Sequence, residues 1–140
     1  MPDIEVELQE FEQRLGIEKK TASRPKILVV DDDRDIRTSI SDVLMDRYEI
    51  RMCENAEEAF RKCTPDTRVA LLDIKMQGKD GLFTYRELKK QFPNLPILFF
   101  TAHAGHHDAY LECKKLEPFE IIQKGCGIQE LVDVIERALK

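Results

Sequence analysis

Four short runs of unbroken apolar residues recur along the chain: Ile27-Leu28-Val29-Val30, Val69-Ala70-Leu71-Leu72, Ile97-Leu98-Phe99-Phe100 and Ile121-Ile122. A strand covered on both faces loses the alternating pattern and reads as solid apolar, so these runs predict buried parallel strands. A fifth segment alternates instead, with Tyr48, Ile50 and Met52 set against Glu49 and Arg51. That pattern suits an edge strand with one wetter face. Between the runs the period becomes helical. Ile36, Ile40, Val43 and Leu44 share one face, and Asn55 with Glu58 predicts an N-cap and its capping-box partner. That box leads into Ala56, Ala59, Phe60 and Cys63. Leu82, Tyr85, Leu88 and Phe92 follow Asp80-Gly81. Ala109, Cys113 and Leu116 form a thinner stripe, and Ile128, Leu131, Val132, Ile135, Ala138 and Leu139 the strongest one. Strand and helix alternate five times, which predicts the α/β class, an open parallel sheet with helices on both faces.

The body so defined runs from Pro25 to Lys140, and residues 1–24 form a polar extension and linker. Within the extension Ile4, Leu8, Phe11 and Leu15 fall on one helical stripe, and Gly16 offers a stop. Two readings stand side by side: a helix resting on its own domain, and a docking segment for a partner or a second copy of the chain. No DNA-binding or enzymatic domain is found within the 140 residues.

Composition narrows the classes. Acidic residues outnumber basic ones 27 to 22, a net charge of -5, which argues against direct binding to a nucleic-acid backbone. No apolar run approaches the roughly 18 residues of a membrane span, and the acidic start lacks the basic end of a signal peptide. Cys53, Cys63, Cys113 and Cys126 include no Cys-x-x-Cys pair and have no histidine at metal-finger spacing. They read as free thiols in a reducing compartment. The expected setting is the cytoplasm.

The chemistry lies at the ends of the apolar runs. The first ends in Asp31-Asp32, the second in Asp73, the third in Thr101 and the fourth in Lys124. Ligands of open α/β sheets bind outside the carboxyl ends of the strands. Neighbouring strands lie about 4.8 Å apart, so if the first and third strands are neighbours, Asp31, Asp32 and Asp73 come within reach of one ion. Three carboxylates that close repel one another, and a hard divalent cation relieves them. Few protein ligands, all oxygen, with room for water and a phosphoryl group, fit Mg²⁺ better than Zn²⁺ or a Ca²⁺ cage. Asp73 is then a carboxylate nucleophile able to form an aspartyl phosphate. Lys124 balances the charge on the phosphoryl oxygens, Thr101 offers them a hydroxyl, and Ala102 leaves space for entry. Taken singly, an Asp after a strand is a turn or cap residue, and Asp33 and Asp35 stay in that class. The conjunction of four strand ends carries the argument.

These residues resemble the receiver family of two-component signalling over positions 26 to 139. Ile27 to Asp33 resembles its first strand and acidic pair, Leu71 to Gly81 its phosphoacceptor loop, Phe100-Thr101-Ala102 its switch threonine and following small residue, and Lys124 its lysine. The resemblance implies a five-stranded sheet of order 2-1-3-4-5, the flavodoxin-like receiver fold. It implies Mg²⁺ held directly by Asp32 and Asp73, through water by Asp31, and by the backbone carbonyl of Lys75. It also implies a phosphoryl group taken from a histidine kinase or phosphotransfer protein, no further enzyme activity, and Lys75 and His103 as positions that set the dephosphorylation rate.

Three positions depart from the family pattern. Gln77 stands for a frequent proline, Gly125 for a cis proline, and Ile121 for an aromatic switch residue. The Lys124–Gly125 bond is therefore expected to be trans, and the usual coupling of threonine and aromatic to be altered. Two other functions fit the sequence less well. A haloacid-dehalogenase-type phosphatase also has an Asp-x-Asp after its first strand, but it wants Thr or Val where Asp35 stands and needs no Asp73. A pseudo-receiver binding module keeps the fold and loses an acid or the lysine, all of which are present here.

Overall fold

The computed structural model describes residues 24–74, 81–101 and 108–140. The chain alternates β1 (Lys26–Val30), α1 (Arg34–Leu44), β2 (Glu49–Cys53), α2 (Ala56–Lys62), β3 (Thr67–Leu72), α3 (Gly81–Gln91), β4 (Ile97–Thr101), α4 (Asp108–Lys115), β5 (Glu120–Gln123) and α5 (Ile128–Leu139). The five strands form one parallel sheet in the order β2-β1-β3-β4-β5. The amphipathic stripe proposed for residues 4–15 lies outside the described residues, as do Lys75, Gln77, Ala102 and His103.

Two apolar layers sandwich the sheet, and strand residues alternate between them. Leu28, Val30, Ala70, Leu72, Ile97 and Phe99 pack with Ala59, Tyr85, Leu88 and Cys113, so α2, α3 and α4 cover one face. Ile27, Val29, Val69, Leu71, Leu98 and Phe100 pack with Ile40, Leu44, Leu131, Val132 and Ile135, so α1 and α5 cover the other. This double burial is why four of the five strands read as solid apolar runs. No helix among the described residues is long and apolar enough to cross a membrane.

The edge strand differs in detail from its sequence reading. It runs from Glu49 to Cys53, and Tyr48 precedes it. Tyr48 donates its backbone N–H to the Leu44 carbonyl at 3.0 Å, closing the turn after α1. Its ring is buried and its hydroxyl donates to the Glu136 carboxylate on α5. Met52, expected on the drier face, is 37% exposed, on a strand with a sheet neighbour on one side only. The cap of α2 also differs in its second half. Asn55 accepts the Glu58 N–H at 2.8 Å as expected, but Glu58 returns its carboxylate to the Glu54 N–H, at 3.2 Å, instead of to that of Asn55.

Two backbone constraints hold the strand ends. Gly81 opens α3 directly against the end of β3: a Cβ there would lie 2.2 Å from the Asp73 carbonyl oxygen. Its own N–H donates to Ile74 O at 3.0 Å. After β5 the chain turns at Gly125, with φ 95°, in the left-handed region that favours glycine. The Lys124–Gly125 bond is trans, as expected without proline.

Two outcomes follow from this packing. Gly81→Ala should lower stability by about 1–3 kcal/mol, the usual range for overpacking, measured by urea unfolding; wild-type stability would mean the helix start yields freely. The four cysteines form no disulfide, with Cys53, Cys63 and Cys113 buried and Cys126 half-buried. Burial pushes the Cys53 thiol up to about 12 and raises that of Cys63. Native alkylation near neutral pH should therefore mark Cys126 first and the other three only on unfolding, read by peptide mass mapping. Equal rates at all four would contradict the core described.

Candidate functional site

Register alone brings the acids together. Val30 pairs with Cys53 on one side and Leu72 on the other, so the next residues, Asp31 and Asp73, leave the sheet side by side. The ladder continues one step beyond the strands: Asp31 N–H donates to Cys53 O at 3.0 Å and Asp73 N–H to Val30 O at 2.9 Å. Asp31 and Asp73 are buried while Asp32 is exposed, and carboxylate oxygens of the three lie within 4.8 Å of one another. The loop that carries the pair is wrapped into the start of α1. Asp31 accepts the Asp33 N–H at 2.9 Å, and Asp33 caps the helix by accepting from Asp35 N–H and Ile36 N–H. The expected capping role of Asp33 is thus seen directly.

Lys124 arrives from the far side. Its backbone N–H donates to Thr101 O at 2.6 Å, which fastens the end of β5 to the end of β4. Its ammonium sits 2.7 Å from Asp31 Oδ2 and 3.4 Å from Asp73 Oδ2, with the side chain only 15% exposed. Burial on its own would lower the Lys124 pKa. The hydrogen bond to Asp31 and the charges of Asp73 and Asp31 outweigh it and raise the value. Thr101 is buried at the last position of β4, on the same edge of the sheet.

The structure therefore gathers Asp31, Asp32, Asp73 and Lys124 into one cluster and sets Thr101 at the neighbouring strand end. The donor set is hard: carboxylate oxygens with no sulfur or imidazole among them, the chemistry of Mg²⁺ and its like. Ile121, the replacement for an aromatic, is half-buried and packs against the layer of α2, α3 and α4. One contact escaped the sequence reading. Arg37 of α1 donates from a guanidinium nitrogen to the Asp31 carbonyl at 2.6 Å. Its acceptor is a backbone carbonyl, which the pattern of side chains does not mark.

Comparison with known proteins agrees with this arrangement. The family model described as the response regulator receiver domain matches residues 27–136. The DNA-binding transcriptional regulator NtrC of Salmonella typhimurium is 35% identical over 117 residues, covering 81% of this chain and 24% of that protein. The chain thus spans about a quarter of the length of the curated relatives it matches. Among solved structures, the receiver domain of NtrX from Brucella abortus superposes with a TM-score of 0.73 at 35% identity, covering 81% of this chain and 97% of that one. A response regulator receiver domain protein from Clostridium thermocellum gives a TM-score of 0.73 at 30% identity, with 81% and 93% covered. A sheet of order 2-1-3-4-5 with clustered acids at its carboxyl edge, matched over most of its length by such proteins, belongs to the receiver domain family of response regulators, the phosphoacceptor modules of two-component signalling.

Proposed function

We propose that Asp73 is the phosphoacceptor and that the acidic cluster around it holds Mg²⁺. The observation that carries this reading is the placement of three carboxylates within 4.8 Å of one another beside a buried ammonium. Three ionised carboxylates against one ammonium leave two negative charges, which a divalent cation offsets. Asp32 and Asp73 would hold it directly and Asp31 through water, with the Lys75 carbonyl as the further ligand that the family resemblance implies. A cation held there would supply positive charge to the phosphoryl oxygens.

The chain's own residues do the rest. An Asp73 carboxylate oxygen attacks the phosphorus of a phosphohistidine in a histidine kinase or phosphotransfer protein. A phosphorus–oxygen bond forms, the phosphorus–nitrogen bond breaks, and the imidazole leaves with the electron pair and takes up a proton. Lys124, within 3.4 Å of Asp73, meets the charge added to that side chain. Thr101 offers its hydroxyl to a phosphoryl oxygen, and Ala102 keeps the approach open. Hydrolysis returns the carboxylate, with Lys75 and His103 setting how readily water reaches the phosphorus. The chain in this reading is a cytoplasmic switch carried by residues 25–140 and acts as an enzyme on no other substrate. A pseudo-receiver has no comparable support, since acids and lysine are all in place.

Acetyl phosphate with Mg²⁺ should add one phosphoryl group to the wild type and none to Asp73→Asn, read by intact mass. Equal labelling of the two would remove Asp73 from the role. Mg²⁺ should also raise the melting temperature, because a ligand bound by the folded state alone stabilises by mass action. At one hundred times Kd the gain is about 2.7 kcal/mol, on the order of 10 °C for a domain of this size. Asp32→Asn should blunt that shift, and a melting point indifferent to millimolar Mg²⁺ would count against the cation site.

A further inference from the structure

The backbone of Asp31 stands where the sheet ends, and its hydrogen bonds can be counted. Its N–H is taken by Cys53 O at 3.0 Å, and the preceding carbonyl, Val30 O, by Asp73 N–H at 2.9 Å. The Asp31 carbonyl lies beyond the ladder and needs another donor. Arg37 supplies it, from a side chain only 13% exposed. Helical side chains lean toward the N-terminus, so a residue early in α1 reaches back over the helix start to the strand end. The other side of the guanidinium lies 3.9 Å from Glu54, just after β2. Glu54 is 62% exposed, so that pair is weak, and the carbonyl bond is the anchor.

We propose that Arg37 is a positioning residue for the cation site: by holding the Asp31 carbonyl it fixes the Asp31–Asp32 peptide and so aims the Asp32 carboxylate toward Asp73. The carbonyl belongs to the peptide that joins the two acids, so rotating it swings Asp32 away from the cluster. Asp32 is exposed, and the peptide that joins it to Asp31 sets the direction in which its side chain leaves the chain. The inference rests on reading the cluster as a Mg²⁺ site.

The sign of the effect separates positioning from simple charge. As a positive charge near the acids, Arg37 opposes a cation, and its removal would tighten Mg²⁺ binding. As an orienting group, its removal weakens it. The test uses the full chain as wild type, Arg37→Met, Arg37→Lys and Asp32→Asn. Three quantities are measured: the Mg²⁺ concentration giving half of the maximal thermal shift, the acetyl phosphate labelling rate across Mg²⁺ concentrations, and the urea midpoint without Mg²⁺. Arg37→Met should raise the Mg²⁺ half-point about tenfold, the low end for groups that orient metal ligands. Labelling should slow at low Mg²⁺ and recover toward the wild-type rate at saturation, a split that lost stability alone does not produce. Arg37→Lys keeps the charge and one donor but loses the rigid fork, so it should show a smaller rise. If Arg37→Met does not fold, that rise in Arg37→Lys is the deciding result, because a charge-only role predicts none. An unchanged or lower half-point in the variants would overturn the role of Arg37. A wild type that ignores Mg²⁺ would instead overturn the cation site itself, and this role with it.

Discussion

One ammonium lies between two buried carboxylates: Lys124 is 2.7 Å from Asp31 and 3.4 Å from Asp73. Taking charges out of water is costly unless they are paired and hydrogen-bonded. Most of the local architecture meets that requirement. Asp31 and Asp73 leave adjacent strands one residue past the paired row, and Lys124 is tied to the end of β4 through Thr101. The third carboxylate, Asp32, stays exposed. The site is thus poised: pairing stabilises the buried part and leaves negative charge in excess at the cluster.

The poise depends on elements far from the charges. Parallel strands buried on both faces fix the register, because a slip of one residue would turn every apolar side chain toward the wrong layer. Register in turn decides that Asp31 and Asp73 are neighbours. Gly81 lets α3 begin against the Asp73 carbonyl, so the helix start sits directly on the strand end. On the opposite face, Tyr48 links the turn after α1 to α5 through Glu136. Its buried hydroxyl carries a raised pKa, from burial first and the Glu136 hydrogen bond second. Ile121 packs inward where the family has an aromatic.

Much of this was legible in the sequence, for identifiable reasons. Solid apolar runs betray strands covered on both faces, and the polar residue ending each run marks the sheet edge where ligands gather. That is why Asp31, Asp32, Asp73, Thr101 and Lys124 were named from their places alone. Periodicity also found the faces of α1, α2, α3 and α5. It misjudged the edge strand by one residue, because Tyr48 is as apolar and as buried as a strand residue while serving the turn before it. Glu58 bonding Glu54 and Arg37 bonding the Asp31 carbonyl were invisible because both depend on backbone direction, which periodicity does not encode. The nearness of Gly81 to Asp73 was hidden for the same reason.

The central claim is that one cation and one phosphoryl group share the Asp31–Asp32–Asp73–Lys124 cluster. A crystal structure of the chain grown with Mg²⁺ and beryllofluoride, whose carboxylate adduct mimics an acyl phosphate, tests it most directly. The account predicts beryllofluoride on an Asp73 carboxylate oxygen, Mg²⁺ beside it touching Asp32, and the Lys124 ammonium on a fluorine. An adduct on a different carboxylate, or a cation lodged away from these three acids, would contradict it.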